Sequence, residues 1–307
     1  MLPVRLRRVS GFDGRLNDAV FQPAIRPPTP PAPTHQTVVF FGGDVQDYPE
    51  VMQAHRDNRN YLKWNLENTA RLMGQTFPGC HILIIRPSRI EYKSFSCYDN
   101  FVPSNNAGIP DHTPTHDALR HLEMLLQNVT IRLKAMARSE LLEASSTSLP
   151  EDIDIEDLHV SFIFSNCSIS NSLWWRDNLA LDESVLTLVG FSKGCVVLNQ
   201  IIYEFHYAKT LTPGDAHMMR LRVRAMYWLD GGHAGGKNTW ITSRSLLETL
   251  TRLNVDVFVH VSPYQVKDEG RPWIGREEKT FTTLLIKLGA NVSIQASLDF
   301  VESVEIR

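Results

Sequence analysis

The sequence predicts an α/β fold with a mostly parallel sheet and helices on both of its faces. Short, almost wholly apolar runs at 37–41, 81–85 and 185–189 alternate with segments whose apolar residues recur at helical spacing. Strands of a parallel sheet are buried on both faces, so they show apolar runs rather than an apolar–polar alternation. The chemically notable residues follow these runs, and ligands of such sheets bind beyond the carboxyl ends of the strands.

The predicted strands and helices alternate along most of the chain. Strands at 37–41 and 81–85 enclose a helix near 59–74, and a helix near 115–138 follows. A run at 160–164 fits either a strand or a buried turn. The third clear strand, at 185–189, leads into a helix through 196–205. Two strand–helix units come next, at 223–229 with 243–252 and at 255–261 with 276–288, before a last strand at 291–294. This alternation predicts parallel strands joined by crossover helices.

The composition favours one folded domain and excludes several classes of protein. The 307 residues, 43% of them hydrophobic, suffice for the core of one open sheet. A net charge of −3 argues against a nucleic-acid surface. No apolar run reaches the 18 residues or so that a transmembrane helix needs. The four cysteines share no C-x-x-C spacing, which fits free thiols in a reducing compartment. We therefore expect no metal and no other cofactor.

Residues 1–36 are expected to form a leader and linker outside the domain. The first 20 residues carry four arginines among short apolar stretches, as transit peptides do, and two aspartates, which such peptides rarely contain. A disordered basic arm is the alternative. The proline-rich stretch at 27–33 predicts an extended spacer. The domain is therefore expected to span 37–307, with a polar surface insertion near 139–158.

The pentapeptide Gly-Phe-Ser-Lys-Gly at 190–194 stands between a predicted buried strand and a predicted helix. In α/β-hydrolases this context places the nucleophilic serine, here Ser192, on a sharp turn above the sheet. Flanking glycines remove side chains that would collide in the turn. The Lys193 amide, at the positive end of the helix, would donate to an oxyanion. A glycine-rich turn without a chemical role is the alternative; a phosphate loop is excluded because the Gly-Lys-Ser/Thr ending is absent.

The loop after the first strand is the second feature that fits an α/β-hydrolase-like fold. It contains Gly42, Gly43 and Asp44. In this fold an oxyanion-hole amide comes from the loop after an early strand, where glycine lets the backbone approach the substrate. A plain tight turn is the alternative.

Two carboxylates and one histidine are candidates for the rest of a catalytic triad. Asp230 follows the strand at 223–229, and Asp268 lies in the loop after the next strand. Asp268 is slightly favoured, because Asp230 is equally suited to shaping its glycine-rich turn. The usual chain order is serine, acid, histidine, yet no histidine follows His260, which lies within a strand. His233 is the remaining candidate base, and packing against its neighbouring glycines is the alternative role. Without a base, a serine hydroxyl is a poor nucleophile.

Five stretches together resemble one family, the mitochondrial protein family of chromosome 2 open reading frame 69. They are FGGDVQDY at 41–48, FSCYDNF at 95–101, GFSKGCVVLNQ at 190–200, YWLDGGH at 227–233 and PYQVKD at 263–268. The resemblance spans about 37–289 and implies an α/β-hydrolase-like fold and a mitochondrial, matrix location. It also implies that Ser192 and Asp268 are nucleophile and acid. Members tend to end with a histidine after the last strand, and residues 296–307 contain none.

The leading hypothesis is a serine hydrolase that acts on an ester, thioester or amide of a small-molecule or acyl substrate. The alternative is a non-catalytic protein of hydrolase shape that binds a protein partner or regulates mitochondrial metabolism. The intact serine turn favours the enzyme, and the missing late histidine favours the binding protein.

Overall fold

The structure is a computed structural model that describes residues 3–27, 35–146, 173–211 and 220–296. The described strands are β1 (Val4–Ser10), β2 (Leu16–Gln22), β3 (Gln36–Phe41), β4 (Cys80–Ile85), β5 (Arg89–Glu91), β6 (Phe95–Cys97), β7 (Val185–Phe191), β8 (Arg222–Leu229), β9 (Asp256–Val261) and β10 (Val292–Ala296). The described α-helices are α1 (Pro49–Gln53), α2 (Leu66–Thr76), α3 (Ala118–Ala135), α4 (Arg138–Ser146), α5 (Cys195–Leu211), α6 (Arg244–Arg252), α7 (Pro263–Val266) and α8 (Pro272–Lys287).

Eight strands form one sheet in the order β1-β2-β4-β3-β7-β8-β9-β10, and β5 pairs with β6 in a small separate hairpin. From β4 to β10 all neighbours in the large sheet are parallel, whereas β1 and β2 are antiparallel. The chain order reverses between β3 and β7, which is the switch point where open α/β sheets bind ligands. The fold is therefore α/β-hydrolase-like, as predicted.

Helices cover both faces of the sheet because alternate strand residues point to opposite sides. Along β3, Val39 and Phe41 join the larger core cluster, which α3, α5, α6 and α8 complete. Val38 and Phe40 join the smaller cluster on the other face, together with residues of α2. All four of these β3 side chains are fully buried. The predicted apolar runs thus have the two-sided burial that their composition indicated.

The start of the chain differs from the prediction. The expected disordered or transit-peptide leader over 1–36 is wrong for residues 4–22, which form β1 and β2 at one edge of the large sheet. Val20 and Phe21 are completely buried, and β2 pairs with β4 over four residue pairs. Arginines interrupt the apolar residues of β1, which obscured its strand pattern. In the fold, Arg5 and Arg7 form ion pairs with carboxylates at the surface. The folded unit therefore includes residues 4–22 of the predicted leader.

Two predictions inside the chain, the helix near 59–74 and the insertion near 139–158, also compare only in part with the structure. The helix predicted near 59–74 is divided into a 3-10 turn (Asn58–Trp64) and α2. The division falls at Asn65, whose side chain accepts hydrogen bonds from the amides of Glu67 and Asn68 and so caps α2. Of the insertion predicted near 139–158, residues 139–146 belong to α4; its remainder and the run at 160–164 lie outside the described residues. None of the described helices has the length and apolar character to cross a membrane.

Candidate active site

Ser192 lies in a strained turn between β7 and α5. Its φ of 50° is in the left-handed region, which few non-glycine residues adopt and which often marks a functional site. The flanking glycines are required by close backbone contacts. A Cβ on Gly190 would lie 2.9 Å from backbone atoms of Cys195, and a Cβ on Gly194 would lie 2.0 Å from the carbonyl oxygen of Phe41. Local geometry therefore explains the glycines at 190 and 194.

The 42–44 loop approaches this serine turn closely. A Cβ on Gly43 would lie 3.0 Å from Cβ of Ser192 and 3.1 Å from the Phe191 ring, closer than ordinary van der Waals contact, so glycine favours this approach. The Gly43 amide itself donates a hydrogen bond to Oε1 of Gln46 at 2.7 Å. The Gly42 carbonyl accepts a hydrogen bond from the Tyr98 hydroxyl at 2.9 Å. Of the predicted oxyanion-hole donors, the Gly43 amide is thus already engaged by its own loop.

The side chain of Lys193, and not only its predicted oxyanion-hole amide, belongs to this site. Its side chain is only 1% exposed, and Nζ donates a hydrogen bond to the Ala107 carbonyl at 2.8 Å. Nζ also lies 4.0 Å from Oδ2 of Asp44. Burial lowers the pKa of Lys193 and raises the pKa of Asp44, while each charge favours the ionised form of the other. The only sequence signal for this pair was a lysine between the serine and the apolar start of the following helix.

In this arrangement both ring nitrogens of His233 are hydrogen-bonded to atoms of its own loop. It is 4% exposed, and its Nδ1 accepts a hydrogen bond from the Gly235 amide at 3.0 Å. Nε2 lies 3.2 Å from the Asn238 carbonyl, to which it donates. Burial lowers the pKa of His233, which keeps the ring neutral with its single proton on Nε2. The loop still touches the serine turn, since the Gly232 amide donates to the Ser192 carbonyl at 3.3 Å.

The two candidate acids bind groups other than His233. Asp230, which has a φ of 48°, accepts hydrogen bonds from the amide and the hydroxyl of Ser262, both at 2.6 Å. It thereby joins the ends of β8 and β9. Asp268 lies at the surface, where it pairs with Nε of Arg271 at 2.6 Å and accepts from the Gly270 amide. Arg271 is the largest cause of the lowered pKa of Asp268. The structure brings neither carboxylate into a hydrogen bond with His233.

A cavity of about 210 Å³ lies beside α5, which contributes Tyr203 to its lining. Two residues that line it form hydrogen bonds with segments next to Ser192: α5 and the loop that contains His233. His112 donates from Nε2 to the carbonyl of Val196 at 3.2 Å, and Asn238, which lines the cavity, holds Nε2 of His233. Its lining is His112, Tyr203, Asn238, Trp240, Ile241, Thr242 and Ser243.

Known proteins resemble this chain in sequence along nearly its whole length. The sequence profile of the C2orf69 family matches residues 5–291. The mitochondrial protein C2orf69 homolog of Mus musculus is 39% identical over 309 residues, covering 95% of this chain and 81% of that protein. Mitochondrial protein C2orf69 of Homo sapiens is 39% identical over 280 residues, covering 89% of this chain and 72% of that protein.

Solved structures resemble the chain in outline only. A lipase/esterase from Lactobacillus plantarum is 9% identical with a TM-score of 0.47, covering 96% of this chain and 89% of that one. A thermostable esterase is 13% identical with a TM-score of 0.43; the alignment covers 99% of this chain, which spans 60% of the esterase's length. The family assignment depends on the sequence matches alone. The chain belongs to the C2orf69 family, whose curated relatives are named mitochondrial proteins.

Proposed function

We propose that the protein is a mitochondrial, matrix-located serine hydrolase that cleaves an ester, thioester or amide through Ser192. The observation that carries the proposal is the geometry of Ser192. The residue is held at a φ of 50° between β7 and α5, with the Gly43 backbone packed against it. Such strain persists only where the surrounding structure maintains it, and it is characteristic of nucleophiles placed at the carboxyl edge of a sheet.

The proposed reaction is acyl transfer through an acyl-serine intermediate. Oγ of Ser192 attacks the substrate carbonyl carbon, the oxyanion is stabilised by the amides of Lys193 and Asp44, and the alcohol, thiol or amine leaves with a proton. Water then attacks the acyl-serine, which releases the carboxylic acid and restores the hydroxyl. The Gly43 amide is engaged by Gln46, so we propose the amide of Asp44, the next residue in the same loop, as the second donor beside that of Lys193.

His233 is the proposed proton acceptor, and this role requires its loop to rearrange. The nitrogen with a lone pair is Nδ1, and the Gly235 amide now binds it. Release of that bond on substrate binding would free Nδ1 to take the proton from Ser192. Catalytic hydrogen bonds are often looser in an unliganded enzyme than in its substrate complex.

The unassembled triad favours a second candidate function, a non-catalytic member of the fold that binds a partner in mitochondria. Both ring nitrogens of His233 are engaged, and both candidate acids bind other groups. In such a protein the serine turn would be retained for its packing.

Labelling with a fluorophosphonate probe distinguishes the two functions. The hydrolase proposal predicts that the folded protein is labelled, that Ser192→Ala abolishes labelling, and that His233→Ala slows it by about 100-fold or more. Ser243→Ala is the matched control, since Ser243 lines the cavity rather than the turn. Folded protein that resists the probe would favour the binding function.

A further inference from the structure

A lysine ammonium is buried directly beside the proposed nucleophile. Lys193 follows Ser192 in the chain, and its side chain is 1% exposed. One hydrogen-bond acceptor, the Ala107 carbonyl, lies 2.8 Å from Nζ, and the Asp44 carboxylate lies at 4.0 Å. The ring of Phe95 is 5.7 Å from Nζ, at cation–π distance. A buried charge of this kind is tolerated only when it is paired.

Asp44 connects this ammonium to the 42–44 loop and to β6. Its Oδ1 accepts a hydrogen bond from the Ser96 amide at 2.8 Å, while Oδ2 is the oxygen nearest Lys193. The Ser96 hydroxyl in turn donates to the Gly43 carbonyl at 2.8 Å. A chain of contacts therefore runs from the side chain of Lys193 through Asp44 and Ser96 to Gly43, whose backbone packs against Ser192.

The 105–109 segment, which contains Ala107, packs closely around Nζ of Lys193, as the space at Gly108 shows. It has a φ of 66°, and a Cβ there would lie 2.6 Å from the Ser96 carbonyl and 3.1 Å from Nζ of Lys193. The Ala107 carbonyl is thereby presented to the ammonium. Lys193 thus bridges three segments: the serine turn, the 42–44 loop and the 105–109 segment.

We propose that the Lys193–Asp44 ion pair is a positioning element that fixes the 42–44 loop against the serine turn and so keeps the oxyanion-hole amides in register. The inference rests on the proposed hydrolase function and deepens it. Oxyanion donors stabilise the transition state only when they are held where the charge develops. The pair acts through those amides, so its loss is expected to slow acylation without weakening the initial binding of a substrate.

The test compares phosphonylation kinetics of the full chain and its variants, separating the rate constant kinact from the binding constant KI. Lys193→Met keeps an unbranched apolar side chain that is one atom shorter and removes the ammonium. We expect kinact to fall by about tenfold or more, because a displaced oxyanion donor is costly, and KI to stay within about twofold. Lys287→Met, a change at an exposed lysine of α8, is the matched control and should behave as wild type.

Asp44→Asn provides a second, milder variant, because its side chain is 35% exposed and the amide keeps an acceptor for Ser96. It should lower kinact in the same direction, and the double variant should be no slower than the slower single one. If Lys193→Met fails to fold by circular dichroism, Asp44→Asn decides. An unchanged kinact in folded variants, or a change confined to KI, would overturn the positioning role. A wild-type protein that is labelled while both variants react normally refutes this inference alone; an unlabelled wild type overturns the proposed function and this inference together.

Discussion

Replacing Gly194 with alanine should distort the serine turn more than any other single-methyl change at this site. The added Cβ would lie 2.0 Å from the Phe41 carbonyl oxygen, 2.5 Å from the carbonyl carbon and 2.8 Å from the Gly42 oxygen. Ordinary contact begins at 3.4 Å, so the nearest atom is about 1.4 Å too close. These neighbours are backbone at the end of β3, a central strand, and they lack the freedom of a flexible side chain to move away.

We therefore expect Gly194→Ala to lower the free energy of unfolding by about 3 kcal/mol, at the upper end of the overpacking range. For a chain of 307 residues that corresponds to a fall in Tm of about 5 °C. Urea denaturation followed by circular dichroism measures the change. Gly79→Ala is the matched control, since its Cβ would meet nothing within 4 Å, and it should be neutral or slightly stabilising. A Gly194→Ala variant within about 1 kcal/mol of wild type would refute the described turn geometry.

Two further predictions concern buried ionisable groups. Glu204 is fully buried and accepts hydrogen bonds from two amides at the start of α3 and from Gln200. In urea denaturation, Glu204→Ala should lower the free energy of unfolding by about 3 kcal/mol, and Glu204→Gln should lower it less. Equal losses in the two variants would contradict this account. Burial lowers the pKa of His81 and His112 to about 4 and that of His121 to about 3. Because the unfolded chain binds these protons below about pH 6.5 and the folded protein does not, the free energy of unfolding should be level above that pH and fall towards about pH 4. Equal stability at pH 7.5 and pH 5 would argue against these buried neutral histidines.

The central sheet could be predicted from sequence because its strands are buried on both faces. The run at 185–189 and the glycines at 190 and 194 indicated a strand followed by a tight turn, and both are present. The first strand was missed because its edge position lets arginines stand among its apolar residues. The second strand, which pairs with β1 and β4, was missed with it. Arg5 and Arg7 stack over the Tyr48 ring and pair with acidic residues, contacts that depend on the tertiary fold.

The site was less predictable than the sheet, since chain order fixes which loops meet but not which atoms pair. The loop that contains His233 contacts the serine turn through the Gly232 amide, which donates to the Ser192 carbonyl. The sequence gave no sign that Gly235 and Asn238 engage both ring nitrogens of His233. Likewise, the contact of Lys193 with Asp44 joins residues far apart in the sequence and depends on the register of β3 beside β7.

The most direct test of the central claim is to locate the covalent adduct. Purified wild-type protein would be treated with a fluorophosphonate, digested and mapped by mass spectrometry, with circular dichroism to verify that it is folded. The proposed function predicts one phosphonyl group per chain, on the peptide that contains Ser192, and none in Ser192→Ala. Folded protein without an adduct, or an adduct on another residue that persists in Ser192→Ala, would contradict the assignment of Ser192 as nucleophile.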